Sequence, residues 1–344
     1  MSGPLSPIMA GPPHFKLAAS STFPKVPIPH RSIQPIDFGD LSGLRPVSGS
    51  VVTVGNFDGV HRGHQRLLEA ARQRADQLGL PLVAVTFEPH TRHFLDLRGG
   101  PELLSTWRER DVLLREHGVD LPVTLRFEDD LRKLSAADFV DLLIDDLGAK
   151  EMVLGFDHRF GRGGAGTPEA ITPHCLLRGL PLSVVGQMDV DGGAVSSTRI
   201  RQALSTWGCF QEAVDLLGHP WNFWGEVVRG AGRGRTIGFP TANLEPLSPR
   251  KLLPASGVYA GRLRWENQTH PAVVNIGVAP TFQRGLRIVE VHCLDDVGPD
   301  YGQICRLDLY FPLRQECRFE SLDALRAQIG SDAETARKKV ATLP

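Results

Sequence analysis

Residues 51–78 contain the pattern that most narrows the fold of the first half of the chain. Four β-prone residues lead into Gly55, a short polar loop follows, and an amphipathic segment then carries apolar residues at helical spacing up to Leu78. Gly79 supplies a helix stop. A strand, a glycine-containing turn and a helix in this order bring unpaired N–H groups and the positive end of a helix dipole to the loop, which suits phosphate.

Two histidines, His61 and His64, open the predicted helix. They are three residues apart and therefore share a face of its first turn. Their imidazoles can donate hydrogen bonds to phosphate oxygens and stabilise the charge that develops when an α-phosphate is attacked. The plainer alternative is a surface cap with no chemistry. The polar loop at residues 55–59, directly after a strand, favours the functional interpretation.

Strand-like and helix-like segments alternate through the rest of the first half. The predicted strands are residues 82–87, 121–127, 151–155 and 182–188, and the predicted helices are 107–117 and 135–147, with Ser135 as an N-cap. This alternation predicts a doubly wound, Rossmann-like parallel sheet that binds ligands at the carboxyl ends of its strands. A glycine-rich loop at residues 155–166 follows one such strand, and it is as typical of plain surface as of a binding loop.

Hydroxyl side chains on three successive residues, 196–198, open another predicted helix, which runs to about residue 207. They can cap the helix and contact phosphate, while Arg199 and Arg201 can neutralise a leaving pyrophosphate. The alternative is an ordinary N-cap followed by solvated arginines.

The pattern changes near Leu217, where helical periodicity gives way to short β-rich pieces. Five predicted strands suggest a small antiparallel barrel, followed by a helix from about Ser321 to Ile329 and a second short helix to Val340. The strands are residues 224–228, 257–263, 272–276, 288–294 and 304–311. The whole chain is thus predicted to be α/β, with a parallel-sheet unit followed by a β-barrel and a terminal helix.

Two stretches of the second half carry candidate chemistry. Residues 230–244 are rich in glycine and lack the Gly-Lys-Ser/Thr of a P-loop, but Thr241 and Asn243 offer uncharged oxygens to a hard cation. In the strand around Glu290, this carboxylate points to the face opposite that of residues 289 and 291. One possibility is that Glu290 lies on the solvated face of an edge strand. If instead it faces the barrel interior, it can take a proton from an attacking hydroxyl.

Length, charge and cysteine usage limit the classes of protein. The 344 residues suit two domains, and a net charge of −1 gives no basic surface for nucleic acid. No apolar run reaches the length of a membrane span. The five scattered cysteines argue against a disulfide framework and a structural zinc site, and the N-terminus has no signal-peptide pattern. We therefore expect a cytoplasmic enzyme with a flexible extension at residues 1–31, domains at 32–205 and 219–344, and a linker helix region at 206–218.

The motifs together resemble one family. The sequence Gly-Asn-Phe-Asp-Gly-Val-His-Arg-Gly-His at residues 55–64 is similar to the His-x-Gly-His signature of nucleotidyltransferases and, in its longer form, to the FAD synthetase module of prokaryotic bifunctional riboflavin kinase/FAD synthetases. Residues 196–201 resemble the Ser-Ser-Thr-x-x-Arg element of that module, and Pro-Thr-Ala-Asn at 240–243 resembles the riboflavin kinase signature. Thr91, where a proline is usual, and His158, in an otherwise aromatic loop, depart from the family pattern.

The resemblance implies two reactions and assigns residues to them. The C-terminal kinase module would phosphorylate riboflavin with ATP, and the N-terminal FMN adenylyltransferase module would join FMN to the adenylyl group of a second ATP, giving FAD and pyrophosphate. Mg2+ is the implied cofactor and ATP the co-substrate. The implied residues are Glu290, His61 and His64 for catalysis; Gly55, Asn56, Phe57, Asp58, Gly59, Ser196, Ser197, Thr198, Arg201, Gly232, Gly234 and Thr241 for nucleotide; Asp157, Phe160, Arg162 and Arg314 for flavin; and Thr241 and Asn243 for the metal. Arg199 is a further candidate for nucleotide contact, added from its position beside the hydroxyl residues.

Other interpretations of the sequence stay open. The protein could be a flavin-binding or regulatory protein that catalyses no reaction. It could also be an enzyme in which only one of the two modules is active. A class I aminoacyl-tRNA synthetase is suggested by the His-x-Gly-His element alone, but its Lys-Met-Ser-Lys-Ser loop and basic RNA-binding face are not visible. Nucleic acid and membranes are not expected partners, and the oligomeric state is undetermined.

Overall fold

The computed structural model describes residues 34–46, 48–92, 100–230, 232, 234, 237–278, 287–295 and 297–343. The predicted extension at residues 1–31 lies outside these ranges. The first unit contains β1 (Ser50–Val54), α1 (Arg62–Leu78), β2 (Leu82–Glu88), α2 (Trp107–Glu116), β3 (Leu121–Arg126), α3 (Asp129–Lys133), α4 (Ala136–Leu147), β4 (Ala149–Gly155), α5 (Pro168–Leu177) and β5 (Leu182–Val185). Short 3-10 helices cover Phe38–Leu44 and Arg162–Gly164.

The five strands form one parallel sheet in the order β3-β2-β1-β4-β5. Alternate residues of β1 enter separate apolar clusters, Val52 and Val54 on one face and Val51 on the other. Helices therefore cover both faces, and the predicted doubly wound fold is confirmed. The strand order reverses between β1 and β4, so a crevice opens at their carboxyl ends, where folds of this kind bind ligands.

Local capping explains where two of the helices begin. Ser135 Oγ accepts a hydrogen bond from the Asp138 N–H at 3.1 Å, which confirms the predicted N-cap of α4. Thr106 and Glu109 form the same reciprocal capping box at the start of α2. After a small hairpin of β6 (Asp189–Val190) and β7 (Gly193–Ala194), the helices α6 (Ser197–Ser205) and α7 (Phe210–Leu217) lead towards the barrel.

The second unit is a closed antiparallel barrel in the order β10-β11-β12-β9-β8-β13. Its strands are β8 (Trp221–Val228), β9 (Ala242–Pro246), β10 (Gly257–Trp265), β11 (Gln268–Val278), β12 (Arg287–Cys293) and β13 (Ile304–Arg314). The sequence did not predict β9, because only Leu244 of its five residues is buried and its apolar pattern is correspondingly weak. This strand joins β8 to β12 and closes the barrel.

The terminal helix α8 (Leu322–Ala341) is continuous. The prediction of two helices separated near Gly330 was therefore wrong. Glycine in a helix costs only about 1 kcal/mol relative to alanine, whereas the part of α8 that follows it buries Asp332, Ala336 and Val340 on the barrel. Tertiary packing of that face therefore outweighs the local preference.

The two units share a hydrophobic core. Leu204 of α6 and Phe210 and Leu216 of α7 belong to one buried cluster with Phe223 and Val274 of the barrel. Within the described ranges, no helix has the length and apolar character needed to cross a membrane.

Candidate active sites

The carboxyl end of β1 leads into a tightly folded loop. Phe57 and Val60 have left-handed backbone conformations, with φ of 47° and 38°. A Cβ on Gly55 would lie 3.1 Å from the buried Phe57 ring, so glycine lets the turn pack directly on that ring. The Phe57 ring in turn meets the His64 ring edge-on, at 5.3 Å. Because the Phe57 side chain is fully enclosed, only the backbone of Phe57 can make the predicted nucleotide contact.

His61 is the N-cap residue of α1, and its ring stacks on that of His64 with centroids 3.7 Å apart. Burial lowers the pKa of His61 to about 4 and the pKa of His64 well below 6.5. Both imidazoles are therefore neutral at pH 7. Within the described part of the chain, the enclosed Nδ1 atom of each ring has no hydrogen-bond partner. A neutral imidazole is an uncharged hydrogen-bond donor, but the enclosed Nδ1 atoms are not accessible to a ligand, so a donor to phosphate would have to be Nε2. The phosphate contact stays a prediction.

Asp58 connects this loop to residues far along the chain. Its buried carboxylate accepts from the backbone N–H of Ser105 at 2.8 Å and forms an ion pair with Arg201. Ser197 Oγ donates to the Asp58 carbonyl at 3.2 Å. The structure therefore brings the 196–201 element beside the 55–61 loop, and we call this assembly, with the start of α1, the sheet-end site.

The other predicted nucleotide residues differ in what they contact. Ser196 caps α6, accepting from the Arg199 N–H, and Thr198 is exposed. The Arg199 guanidinium binds the Glu212 carboxylate at 2.9 Å and the carbonyls of Val190 and Gly193. Arg199 therefore ties α6 to α7 and to the hairpin, and its nucleotide contact stays a prediction.

Asn56 lies at the edge of the sheet-end site. The Asn56 side-chain amide donates to Thr91 Oγ1 at 3.1 Å, and Thr86 Oγ1 donates to the Asn56 backbone carbonyl at 3.2 Å. Thr91, one of the departures from the family pattern, thus makes a hydrogen bond that a proline side chain could not make.

The predicted flavin residues of the first unit follow β4. Phe160 is buried against Phe139 at 5.3 Å, whereas Asp157 and Arg162 are exposed. His158 lies between them, and burial lowers its pKa to about 4. Its enclosed Nε2 has no hydrogen-bond partner among the described residues. The flavin contacts themselves stay predictions.

A second group of polar side chains lies on the outside of the barrel. Glu290 pairs in register with Asn243 of β9 and Asn275 of β11, so these three residues form a row on one face. Val289 and Val291 point the other way, into the core. The interior placement of Glu290 was wrong, because apolar side chains fill the barrel. The outward placement was right in direction, but β12 is not an edge strand, since it has a neighbour on each side. Glu290 is half-buried and faces outward.

The glycine stretch lies close to this row. A Cβ on Gly230 would lie 2.0 Å from Asn243 Nδ2, and one on Gly234 would lie 3.1 Å from Thr241 Oγ1. Gly232 is exposed and left-handed, with φ of 68°. We call the row together with Thr241 and this stretch the barrel site. Its hydroxyl, amide and carboxylate oxygens suit a hard cation such as Mg2+, and in the described residues no group of three His, Cys, Asp or Glu could hold a metal.

Arg314 belongs to a different contact. Its guanidinium forms an ion pair with Asp332 of α8 at 2.9 Å and donates to the Gln315 carbonyl at 3.0 Å. It therefore fastens the terminal helix to β13, and its flavin contact stays a prediction.

Comparison with known proteins matches both units. A FAD synthetase family model covers residues 45–199, and a riboflavin kinase model covers residues 217–340. The bifunctional riboflavin kinase/FMN adenylyltransferase of Pseudomonas fluorescens is 39% identical over 300 residues, covering 86% of this chain and 95% of that protein. The chain belongs to the bifunctional riboflavin kinase/FMN adenylyltransferase family. The family member from Escherichia coli K12 is also 39% identical over 295 residues, and this match covers 85% of this chain and 93% of that protein.

A solved structure supports the fold of this family member. It is described as a macrolide-efflux protein from Streptococcus pneumoniae, is 33% identical and superposes with a TM-score of 0.77. The match covers 88% of this chain and 98% of that one.

Sequence reasoning missed several residues around the two sites of this bifunctional chain. Ser105 supports Asp58, Asn275 flanks Glu290, and Arg110 is fully buried near His64, with its Nη2 donating to the Phe87 carbonyl at 2.9 Å. No spacing rule relates these residues to the motifs. Only strand register and helix packing bring them there.

Proposed function

We propose that the chain converts riboflavin to FAD in two ATP-dependent steps, one at each site. The observation that carries the proposal is that one chain assembles two separate sets of phosphate-compatible side chains. Stacked neutral histidines lie at the switch point of the sheet, and an Asn243–Glu290 row beside a glycine stretch lies on the barrel. Each set falls inside the matching family model.

At the barrel site, Glu290 takes the proton from the terminal ribityl hydroxyl of riboflavin. That oxygen bonds to the γ-phosphorus of ATP as the bond to ADP breaks. Glycines 230, 232 and 234 let the backbone approach the phosphates. Thr241 and Asn243 would hold Mg2+ together with the phosphates. The ion, when bound, neutralises the charge on the transferred group.

At the sheet-end site, a phosphate oxygen of FMN bonds to the α-phosphorus of a second ATP and pyrophosphate leaves. His61 and His64 donate neutral N–H groups to the phosphate oxygens, and Ser197 and Arg201 complete the set. The backbone of residues 55–59 and the hydroxyls of 196 and 198 contact nucleotide. The flavin is contacted by Asp157, Phe160 and Arg162 at this site, and by Arg314 in the kinase module. No side chain acts as a nucleophile.

The test uses two variants that act as controls for each other. Glu290→Gln removes the proton acceptor and should lower FMN formation from riboflavin at least about 100-fold, while FMN-to-FAD conversion stays within about twofold. His61→Ala should have the opposite pattern, with about a 100-fold loss in FAD formation. Products from riboflavin, ATP and Mg2+ are separated by chromatography. Equal loss of both steps in either variant contradicts this division, and flavin binding without turnover by the unmodified chain supports a binding protein instead.

We also propose the domain bounds 32–205 and 219–344, joined by residues 206–218. The bounds are supported by α7, which ends at Leu217, and by the first barrel strand, which begins at Trp221. A cytoplasmic location is supported by the five cysteines, all of which are free thiols.

A further inference from the structure

The sheet-end loop is joined directly to the segment that enters the barrel. The Gln65 amide nitrogen donates to the Val60 carbonyl at 2.8 Å and to the Leu217 carbonyl at 2.7 Å. A Cβ on Gly218 would lie 2.8 Å from Gln65 Oε1, so the two segments are in close contact. The last linker residues before the kinase module therefore lie against the loop that carries His61.

His219 makes the next contact in this segment. Its Nε2 lies 2.9 Å from the Gly59 carbonyl oxygen, and its Nδ1 lies 2.8 Å from the Pro220 carbonyl oxygen. A neutral imidazole has a single N–H, and burial lowers the pKa of His219, so only one carbonyl receives a hydrogen. The Pro220 oxygen has a second donor, the Asn222 amide at 3.4 Å. Among the described residues, His219 is the one hydrogen-bond donor to the Gly59 oxygen. The hydrogen of the His219 ring is therefore placed on Nε2.

This hydrogen bond fixes the peptide groups directly before His61. The Gly59 N–H donates to Ser105 Oγ at 2.8 Å, so both polar groups of Gly59 are held by the protein. Val60, which follows, has φ of 38°, a conformation that a β-branched residue adopts only when its surroundings impose it. Releasing the Gly59 carbonyl would let this strained turn relax and move the His61 ring.

We propose that His219, a residue of the kinase module, is a positioning residue for adenylyl transfer. Through its Nε2–H it holds the Gly59 carbonyl and thereby keeps His61 in place for the phosphates. The inference rests on the proposed FAD-forming reaction at the sheet-end site. It assigns His219 no contact with substrate.

Two substitutions separate the ring nitrogens. His219→Gln keeps an amide donor close to the Nε2 position, and His219→Asn keeps one close to Nδ1. The asparagine variant should lower kcat for FAD formation about tenfold, the effect of one buried hydrogen bond, with KM for FMN and ATP within about twofold. The glutamine variant should stay within about threefold of the unmodified protein. FMN formation from riboflavin, in the same preparation, should be unchanged in both.

His117→Gln is the matched control. The His117 ring lies 6.3 Å from that of His219 and is likewise half-buried, with its pKa lowered to about 4, but among the described residues no hydrogen bond joins it to the 55–61 loop. The control should keep FAD formation within about twofold.

Three results would overturn the positioning role of His219. These are normal FAD formation in His219→Asn, equal loss in the asparagine and glutamine variants, or a parallel fall in FMN formation and melting temperature. If the unmodified chain itself makes no FAD from FMN and ATP, the proposed function fails, and the inference fails with it. If that chain is active and the variants are unaffected, only the inference fails.

Discussion

A stacked pair of neutral histidines, His61 buried and His64 half-buried, distinguishes the sheet-end site at the level of single residues. His61 and His64 stack at 3.7 Å, a spacing at which two charged rings would repel strongly. Burial keeps both uncharged at neutral pH. They can therefore donate hydrogen bonds to phosphate without the cost of burying two like charges. We expect their contribution to be directional hydrogen bonding, while the charge of the nearby Arg201 is offset by its ion pair with Asp58.

His158 provides a residue-scale prediction about stability. Its native pKa is about 4, so between pH 6.5 and 4 the unfolded chain binds a proton that the native protein does not, and the free energy of unfolding falls as the pH falls. His158→Phe should reduce this fall by up to about 1.4 kcal/mol per pH unit. It should also raise stability at pH 7 by about 1 kcal/mol, because an enclosed, unpaired nitrogen is removed. Urea denaturation at pH 7 and pH 5 measures both effects, and an unchanged pH dependence would contradict the prediction.

At the scale of elements, the ends of helices position the sites. The C-cap of α7 is Gly218, whose φ is 75° and which lies directly against Gln65 of α1. The C-cap of α1 is Gly79, which has the same left-handed conformation, with φ of 65°, but no atom lies within 4 Å of the place its Cβ would take. The two glycines share a backbone requirement and differ in their surroundings.

This difference gives an element-scale prediction. Gly79→Ala should cost about 1 kcal/mol of unfolding free energy, the backbone penalty alone. Gly218→Ala should cost at least about 1 kcal/mol more, because the new methyl group displaces the Gln65 amide from two hydrogen bonds. It should also lower FAD formation, whereas Gly79→Ala should not. Chemical denaturation and product analysis provide the measurements. Equal effects of the two substitutions would show that the contact with Gln65 has no energetic weight.

For the whole molecule, a buried ion pair lies between the two modules. Lys251 of the barrel module lies 2.9 Å from the Glu109 carboxylate of α2, and both side chains are enclosed. Its ammonium also donates to the carbonyls of Leu104 and Asn222, each at 2.6 Å. The Glu109 carboxylate in turn accepts from the Trp224 N–H of β8 at 2.8 Å. The segment that supports Asp58 is thus tied to the barrel.

Lys251→Met should therefore destabilise the protein by about 3–5 kcal/mol, since the Glu109 charge would stay buried without its partner. The control is Lys338→Met on α8, where an exposed pair with Glu334 has the same kind of short contact, 2.6 Å, and should change stability by less than about 1 kcal/mol. Tryptophan fluorescence during urea unfolding follows the loss directly, because the Trp221 ring lies 4.9 Å from the Lys251 ammonium. A loss no larger than that of the control would contradict the role given to this pair.

The sequence alone determined the fold class, the family and the identity of the motif residues. These depend on periodicity and on short contiguous patterns, such as residues 55–64 and 240–243, that report local backbone geometry. The tertiary structure decided which residues the motifs meet. Strand β9, the outward direction of Glu290 and the bond from His219 to Gly59 depend on strand register and on contacts between residues far apart in the chain. Local spacing carries no information about such contacts, because they form only when separate elements pack.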